Sequence, residues 1–183
     1  MSNLIFKRKN KQKGFTLVEL TLSIAAIVFM IAGAIKLLGP ILAQNRAKDE
    51  IVELTKIFAA VQAKWANNPN YDGIDIEQLI NNGVFPASWV NNGQAVNRWG
   101  GVIEVQATQA FTASDSFELT TPNIPSEECK TIVPGLFGTV RGMTVGGTEI
   151  KAIDGTTQNI NMADVGTSCG ENTTVEIKYA IGR

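Results

Sequence analysis

The sequence predicts an α+β fold: a long N-terminal α-helical spine whose outer half packs on a globular head built from an antiparallel β-sheet. Three observations predict it. Residues Phe15 to Ala43 form an apolar run broken by charge only at Glu19 and Lys36. Ile51, Leu54, Phe58, Val61 and Trp65 then recur at alternating steps of three and four, the stripe of an amphipathic helix. Near the C-terminus Val175, Ile177, Tyr179 and Ile181 alternate with Glu176, Lys178 and Ala180, as in a strand with one buried face.

The first fourteen residues carry Lys7, Arg8, Lys9, Lys11 and Lys13 and no acid. An ordinary secretory signal places its small-residue cleavage site after the apolar stretch. Here Lys13-Gly14-Phe15 places the small residue before it. A cut after Gly14 removes only the basic leader, residues 1–14, and leaves the apolar segment attached. The basic cluster predicts a cytoplasmic N-terminus and an outward-facing head.

Residues 15–43 are long enough to cross a bilayer, which needs about 20 apolar residues. Glu19 is then costly, by roughly 2.5–3.5 kcal/mol for a charge at membrane depth. A carboxylate retained there suggests a partner that appears later. Cleavage after Gly14 creates an α-amine on Phe15, one helical turn from Glu19, and in a bundle of such helices Glu19 of one chain meets the amine of the next. Both charges are tolerable when paired. The alternative is a single-pass anchor with a chance glutamate near the interface. Lys36 reads as a membrane-exit marker, or as a side chain snorkelling to the outer interface.

Gly39-Pro40 predicts a kink or a melted stretch, because proline removes a helical hydrogen bond and crowds the preceding turn. Residues 44–66 form the amphipathic half of the spine. Arg46, Lys48, Asp49, Glu50, Glu53 and Lys56 are expected mostly on its solvated face. Asn67-Asn68-Pro69-Asn70 ends the helix and opens the head, residues 67–183. Asp75 with Gln78 has capping-box spacing, so Asp75 to Asn82 reads as a short helix. Gly101 to Ala107, Ser116 to Thr121 and Thr173 to Ile181 read as strands, and Ser126 to Val133 as a short helix carrying Cys129. Leu136 to Val145 and Thr148 to Ile153 are further strand candidates, separated by a turn at Gly146-Gly147. Trp89 and Trp99 are expected in the head core.

Composition narrows function. There is no histidine, which removes the commonest general base and metal ligand and any Ser-His-Asp or Cys-His arrangement. No catalytic residues, metal site or cofactor are expected: Gly146-Gly147 lacks a phosphate-loop lysine, and Asp154 and Asp164 read as loop residues. From Asn68 onward thirteen acids face six bases, which argues against direct nucleic-acid binding by a basic face. Cys129 and Cys169 are too few for a four-cysteine zinc site. In an exported head they most simply form one disulfide closing the loop 129–169, worth roughly 3–4 kcal/mol in the loop-entropy picture. Two unpaired buried thiols are the alternative. Asn172-Thr173-Thr174 matches a glycosylation sequon.

Taken whole, Lys13-Gly14-Phe15-Thr16-Leu17-Val18-Glu19-Leu20, with bases before and an apolar helix after, resembles the class III signal of type IV prepilins. The resemblance implies cleavage between Gly14 and Phe15 by a prepilin peptidase on the cytoplasmic side of the inner membrane. It implies N-methylation of Phe15 by the same enzyme and a role for Glu19 in docking the subunit into a growing filament. A second resemblance lies in Ile80-Asn81-Asn82-Gly83-Val84-Phe85-Pro86, Trp89-Val90 and Asn97-Arg98-Trp99-Gly100-Gly101. It is similar to the region after the spine in type IVb pilins, the group of the toxin-coregulated, bundle-forming and conjugative thin-pilus pilins. Type IVb prepilins usually have a longer leader and another first mature residue; the short leader and Phe15 are as in type IVa pilins.

The family implies a non-enzymatic structural subunit, here expected to be the major pilin, that polymerises with itself into a helical filament. Its implied partners are the prepilin peptidase, the inner-membrane assembly platform, minor pilins and, before assembly, the membrane. The implied location is the inner membrane and then an extracellular pilus. A minor pilin or a type II secretion pseudopilin is the nearer alternative, and a membrane-anchored periplasmic binding module the farther one. Adhesion, aggregation, motility, DNA uptake and conjugation all use such subunits.

Overall fold

The computed structural model describes residues 16–170 and 173–182. The leader, Gly14, Phe15, the sequon residue Asn172 and the Lys36 side chain lie outside the described residues. The chain divides into two compact units, one ending at Gly39 and one running from Pro40 to Arg183.

Helix α1, Leu17–Lys64, supplies the first unit and opens the second. It carries Pro40 inside an uninterrupted helical assignment, so the melted stretch expected at Gly39-Pro40 is not present. No glycine or proline follows in α1, and helix α1 ends where Asn67 and Asn68 enter a turn.

In the second unit Ala47, Leu54, Ile57, Phe58 and Val61 of α1, and Trp65 just after it, are buried against a five-stranded sheet. Its strands are β3 (Glu104–Thr108), β4 (Ser116–Pro125), β5 (Gly142–Val145), β6 (Thr148–Lys151) and β7 (Thr174–Gly182). A separate hairpin precedes them, β1 (Val90–Asn91) and β2 (Gln94–Ala95). The five-stranded order is β3-β4-β7-β5-β6, antiparallel throughout, so the C-terminal strand lies at the centre. Register places Leu119 and Met143 opposite Tyr179, and Val145 opposite Ile177, which aligns one apolar face across three strands. Phe58 of the helix meets Tyr179 with ring centroids 5.7 Å apart, and Tyr71 meets Phe117 at 5.0 Å, both tilted as aromatic quadrupoles prefer.

Several expectations are refined. The buried seam of α1 runs through positions 47, 50, 54, 57, 58 and 61 and continues at Trp65 beyond its end, so Glu50 is fully buried rather than on the solvated face. Ile51, expected in the stripe, is half-buried beside helix α3 (Ser126–Leu136): a Cβ on Gly135 would sit 2.5 Å from Ile51 Cδ1. Helix α2, Ile76–Asn81, begins after Asp75, yet the Asp75 side chain makes no capping hydrogen bond, so the capping box with Gln78 does not form. The strand expected from Leu136 is α3 and a turn as far as Val140, and β5 starts at Gly142. Leu136 and Val140 are buried at the helix end, so apolar content alone did not reveal their secondary structure. Gly146 and Gly147 form the two-residue β5–β6 turn with φ of 55° and 83°, a left-handed pair that glycine adopts freely. Helix α4, Met162–Cys169, and the β1–β2 hairpin were not anticipated, although Asn92-Gly93 at the hairpin tip is a turn signal. Trp89 is buried and Trp99 packs half-buried on the core.

Asn97 organises the step from β2 to β3. Its Nδ2 donates to the Pro122 carbonyl at 2.6 Å, and its Oδ1 accepts from the amides of Trp99 at 3.0 Å and Gly101 at 2.8 Å. Gly101 is required there because a Cβ would fall 2.4 Å from the Pro122 oxygen. Asn97→Ala is expected to lower head stability by about 2–4 kcal/mol, since three hydrogen bonds go and their buried partners stay. Urea unfolding followed by near-UV dichroism measures the loss.

Candidate functional site

The first described turn of α1 is built around Thr16 and Glu19. Glu19 N donates to Thr16 Oγ1 at 3.2 Å, while Glu19 Oε2 accepts from Thr16 N at 3.5 Å and from Thr16 Oγ1 at 3.4 Å. This reciprocal arrangement is a capping box: the hydroxyl satisfies an amide of the first turn and the carboxylate reaches back to the cap amide. Its sequence signal is the Thr-x-x-Glu spacing of Thr16 and Glu19. The carboxylate also lies at the positive end of the helix dipole.

Beyond this turn the helix is apolar and uncovered. Leu17, Val18, Leu20, Leu22, Ile24, Ile27, Val28, Phe29, Met30, Ile31, Ile35, Leu38, Ile41 and Leu42 are all exposed. By length and composition α1 can cross a membrane: an 18-residue window reaches a mean hydropathy of 2.2 with none of it buried. The stretch Leu17 to Leu42 rises about 39 Å at 1.5 Å per residue, against a hydrocarbon core of about 30 Å. Soluble monomers seldom expose so much contiguous apolar surface, so this segment is an interaction surface.

The head carries the other predicted positions. Cys129 on α3 and Cys169 at the end of α4 are joined by a disulfide with Cα atoms 5.7 Å apart, and both are fully buried. The bridge fastens the eight-residue α4 to α3 and closes the 40-residue separation that contains β5 and β6. Asp154 accepts from Thr156 N and Thr156 Oγ1, and Asp164 from Asn161 Nδ2, so each sits in local loop or cap bonding. Among the described residues no group of three or more His, Cys, Asp or Glu side chains converges.

A charged cluster that sequence reasoning missed links the spine to the Asn97 turn. Arg98 Nε donates to Glu50 Oε2 at 3.2 Å, and Arg98 Nη1 lies 3.7 Å from Asp49 Oδ2. Arg46 Nη1 lies 3.9 Å from Glu128 Oε1 on α3. Burial pushes the Glu50 carboxyl up to about 7, against the lowering influence of Arg98. The signal was Glu50 itself, four residues before Leu54 and in phase with the buried seam. Elsewhere Asp115 is held well below the usual carboxylate range by the amides of Ala110, Thr112 and Phe111, which fixes the 110–115 loop. Lys151 Nζ donates to the carbonyls of Phe137 and Val140, satisfying acceptors just beyond α3, and burial lowers its pKa.

An exposed apolar helix joined to a head with a spine-backed antiparallel sheet and a disulfide-bounded loop is the architecture of a filament subunit of the pilin class. Residues 44–181 match the family model described as PilS N terminal, so the chain belongs to that family. Residues 9–35 match the prokaryotic N-terminal methylation motif, and the chain is a type IV pilin, a structural subunit and not an enzyme. It is similar in structure to the type IVb pilin from Salmonella typhi, with a TM-score of 0.56 and 16% identity over 74% of this chain and 99% of that one. It is similarly related to TcpA, a type IV pilin from Vibrio cholerae El Tor biotype, with a TM-score of 0.55 and 16% identity over 76% and 98%. At that identity the likeness is one of fold. No curated protein sequence matches the chain.

Proposed function

We propose that this pilin is the major subunit of a type IV pilus, matured by a prepilin peptidase and polymerised through its N-terminal helix. The carrying observation is the uncovered apolar segment from Leu17 to Leu42 with a carboxylate, Glu19, in its first turn. In this reading residues 1–14 are a cytoplasmic leader cut between Gly14 and Phe15, and Phe15 is N-methylated. Residues 15–43 hold the subunit in the inner membrane and later form the filament core. Residues 44–66 back the head, and the head, residues 67–183, faces the periplasm before assembly and the medium afterwards.

Glu19 has the central assembly role. In the isolated chain its carboxylate closes the Thr16 box. In the filament it meets the Phe15 amine, and burial of the two charges is supported only by their pairing. The assembly platform and minor pilins are the remaining partners of this reading. The disulfide-closed segment between Cys129 and Cys169 favours a pilus subunit over a pseudopilin.

Intact mass and N-terminal peptide mapping of the native protein from a surface-shear fraction test this directly. The expected species begins at N-methylated Phe15, lacks the fourteen-residue leader and carries Cys129 bonded to Cys169. A chain beginning near Met1 overturns processing and points to an anchored module. A cut chain absent from the shear fraction points to a minor pilin or pseudopilin.

A further inference from the structure

Glu50, on the spine helix, is a fully buried carboxylate, and its environment is incomplete. Oε2 is held by Arg98 Nε at 3.2 Å, while Oε1 is buried without a hydrogen-bond partner. The Tyr179 hydroxyl is buried on β7 with Thr121 as its polar neighbour. An ionised carboxylate offers acceptors only, so Oε1 is a buried acceptor left unsatisfied; a protonated carboxyl carries a donor as well. Breaking a buried pair is costly when a charge remains behind, but protonation removes that charge first.

We propose that Glu50 and Arg98 form a proton-sensitive latch between the spine helix and the 97–101 turn, closed while Glu50 is ionised and released when it is protonated. Every neighbouring charge fits this sense. Glu53, on the same helix, disfavours the ionised form and Arg98 favours it. Asp49, exposed, already lies 3.7 Å from Arg98 Nη1, a second and solvated carboxylate that keeps the guanidinium paired when Glu50 is neutral. Arg46 is engaged with Glu128 of α3, and the pKa of Tyr179 on the sheet is raised by burial and by the Glu50 charge against the lowering influence of Thr121. Release leaves Arg98 facing an open cleft of about 320 Å³ that Arg46 and Trp99 also line.

The sign of the accompanying stability change follows from linkage. The folded-state carboxyl lies above its unfolded value, so the folded head holds an extra proton between about pH 4.5 and about pH 7. The stability associated with neutral Glu50 is therefore fully present below that window and is lost as pH rises through it.

The test is an NMR titration of the full chain in detergent micelles from pH 8.5 to pH 4, following the Glu50 carboxyl carbon and the Arg98 Nε–Hε pair. The expected result is one shared midpoint near pH 7 for both nuclei, instead of about 4.3 for an unperturbed glutamate. Glu50→Gln should abolish the Arg98 titration, and Asp49→Asn should retain it. A Glu50 midpoint in the ordinary carboxylate range overturns the proposal, as does an Arg98 signal that stays still while Glu50 titrates. Should Glu50→Gln not fold, the two nuclei of the native chain still decide the outcome.

Discussion

Glu19→Leu is expected to leave the protein in the membrane fraction and to remove it from sheared filaments. The substitution favours the membrane-inserted precursor by roughly 3 kcal/mol, because leucine is at home in hydrocarbon and a carboxylate is not. In the proposed filament it would also leave the Phe15 amine of a neighbouring chain without its counter-charge, a loss of about 3–5 kcal/mol. Even the smaller figure is more than a hundredfold in the incorporation equilibrium. Immunoblotting of shear and membrane fractions measures the ratio. Glu19→Gln separates two roles. It keeps an oxygen for the Thr16 amide and loses the charge, so wild-type incorporation of that variant would reduce Glu19 to a helix cap. Incorporation as poor as that of Glu19→Leu identifies the charge as the requirement.

Removing the disulfide by Cys129→Ser with Cys169→Ser is expected to lower head stability by about 4 kcal/mol, the loop-entropy value for a separation of 40 residues. For a head of this size that corresponds to a fall in Tm of roughly 10–15 °C. The damage should not be uniform. Helix α4 is eight residues long, too short to persist alone, and is anchored mainly by Val165 and Cys169. Strands β4 and β7, paired over most of their lengths and packed on α1, do not depend on the bridge. Hydrogen exchange should therefore show early loss of protection in residues 152–169 and retained protection in residues 116–121 and 175–181. Equal loss across the sheet would mean that the bond holds the whole head together.

The legible parts of the fold were those set by a strong period. β7 was read within a residue at each end, because Ile177, Tyr179 and Ile181 bury one face while Glu176 and Lys178 stay at the surface or half-buried. The spine was legible from its apolar run and the stripe after it. The cysteine pair needed only the count of two and an exported head. Short elements were less legible. The eight residues of α4 contain Gly166 and three polar hydroxyl or amide-competing side chains, Asp164, Thr167 and Ser168, so propensity gives a weak signal there. Residues 136–140 are buried whichever element they adopt, and apolarity without a period does not choose between helix and strand.

The sequence by itself determined the class of this protein. A basic N-terminus, glycine before phenylalanine, Glu19 five residues after that glycine and a long apolar run are local features, and their chemistry is independent of how the head folds. Only the tertiary structure decided the surroundings of Glu50. A glutamate is ordinarily solvated, and along one strand of sequence it is indistinguishable from Glu53 three residues later. Its burial follows from helical phase: position 50 shares a face with Ala47 and Leu54, that face is covered by the sheet, and Arg98 arrives from forty-eight residues away to meet it. Long-range packing sets both the desolvation of the charge and the partner that offsets it, and neither is encoded in the neighbouring residues.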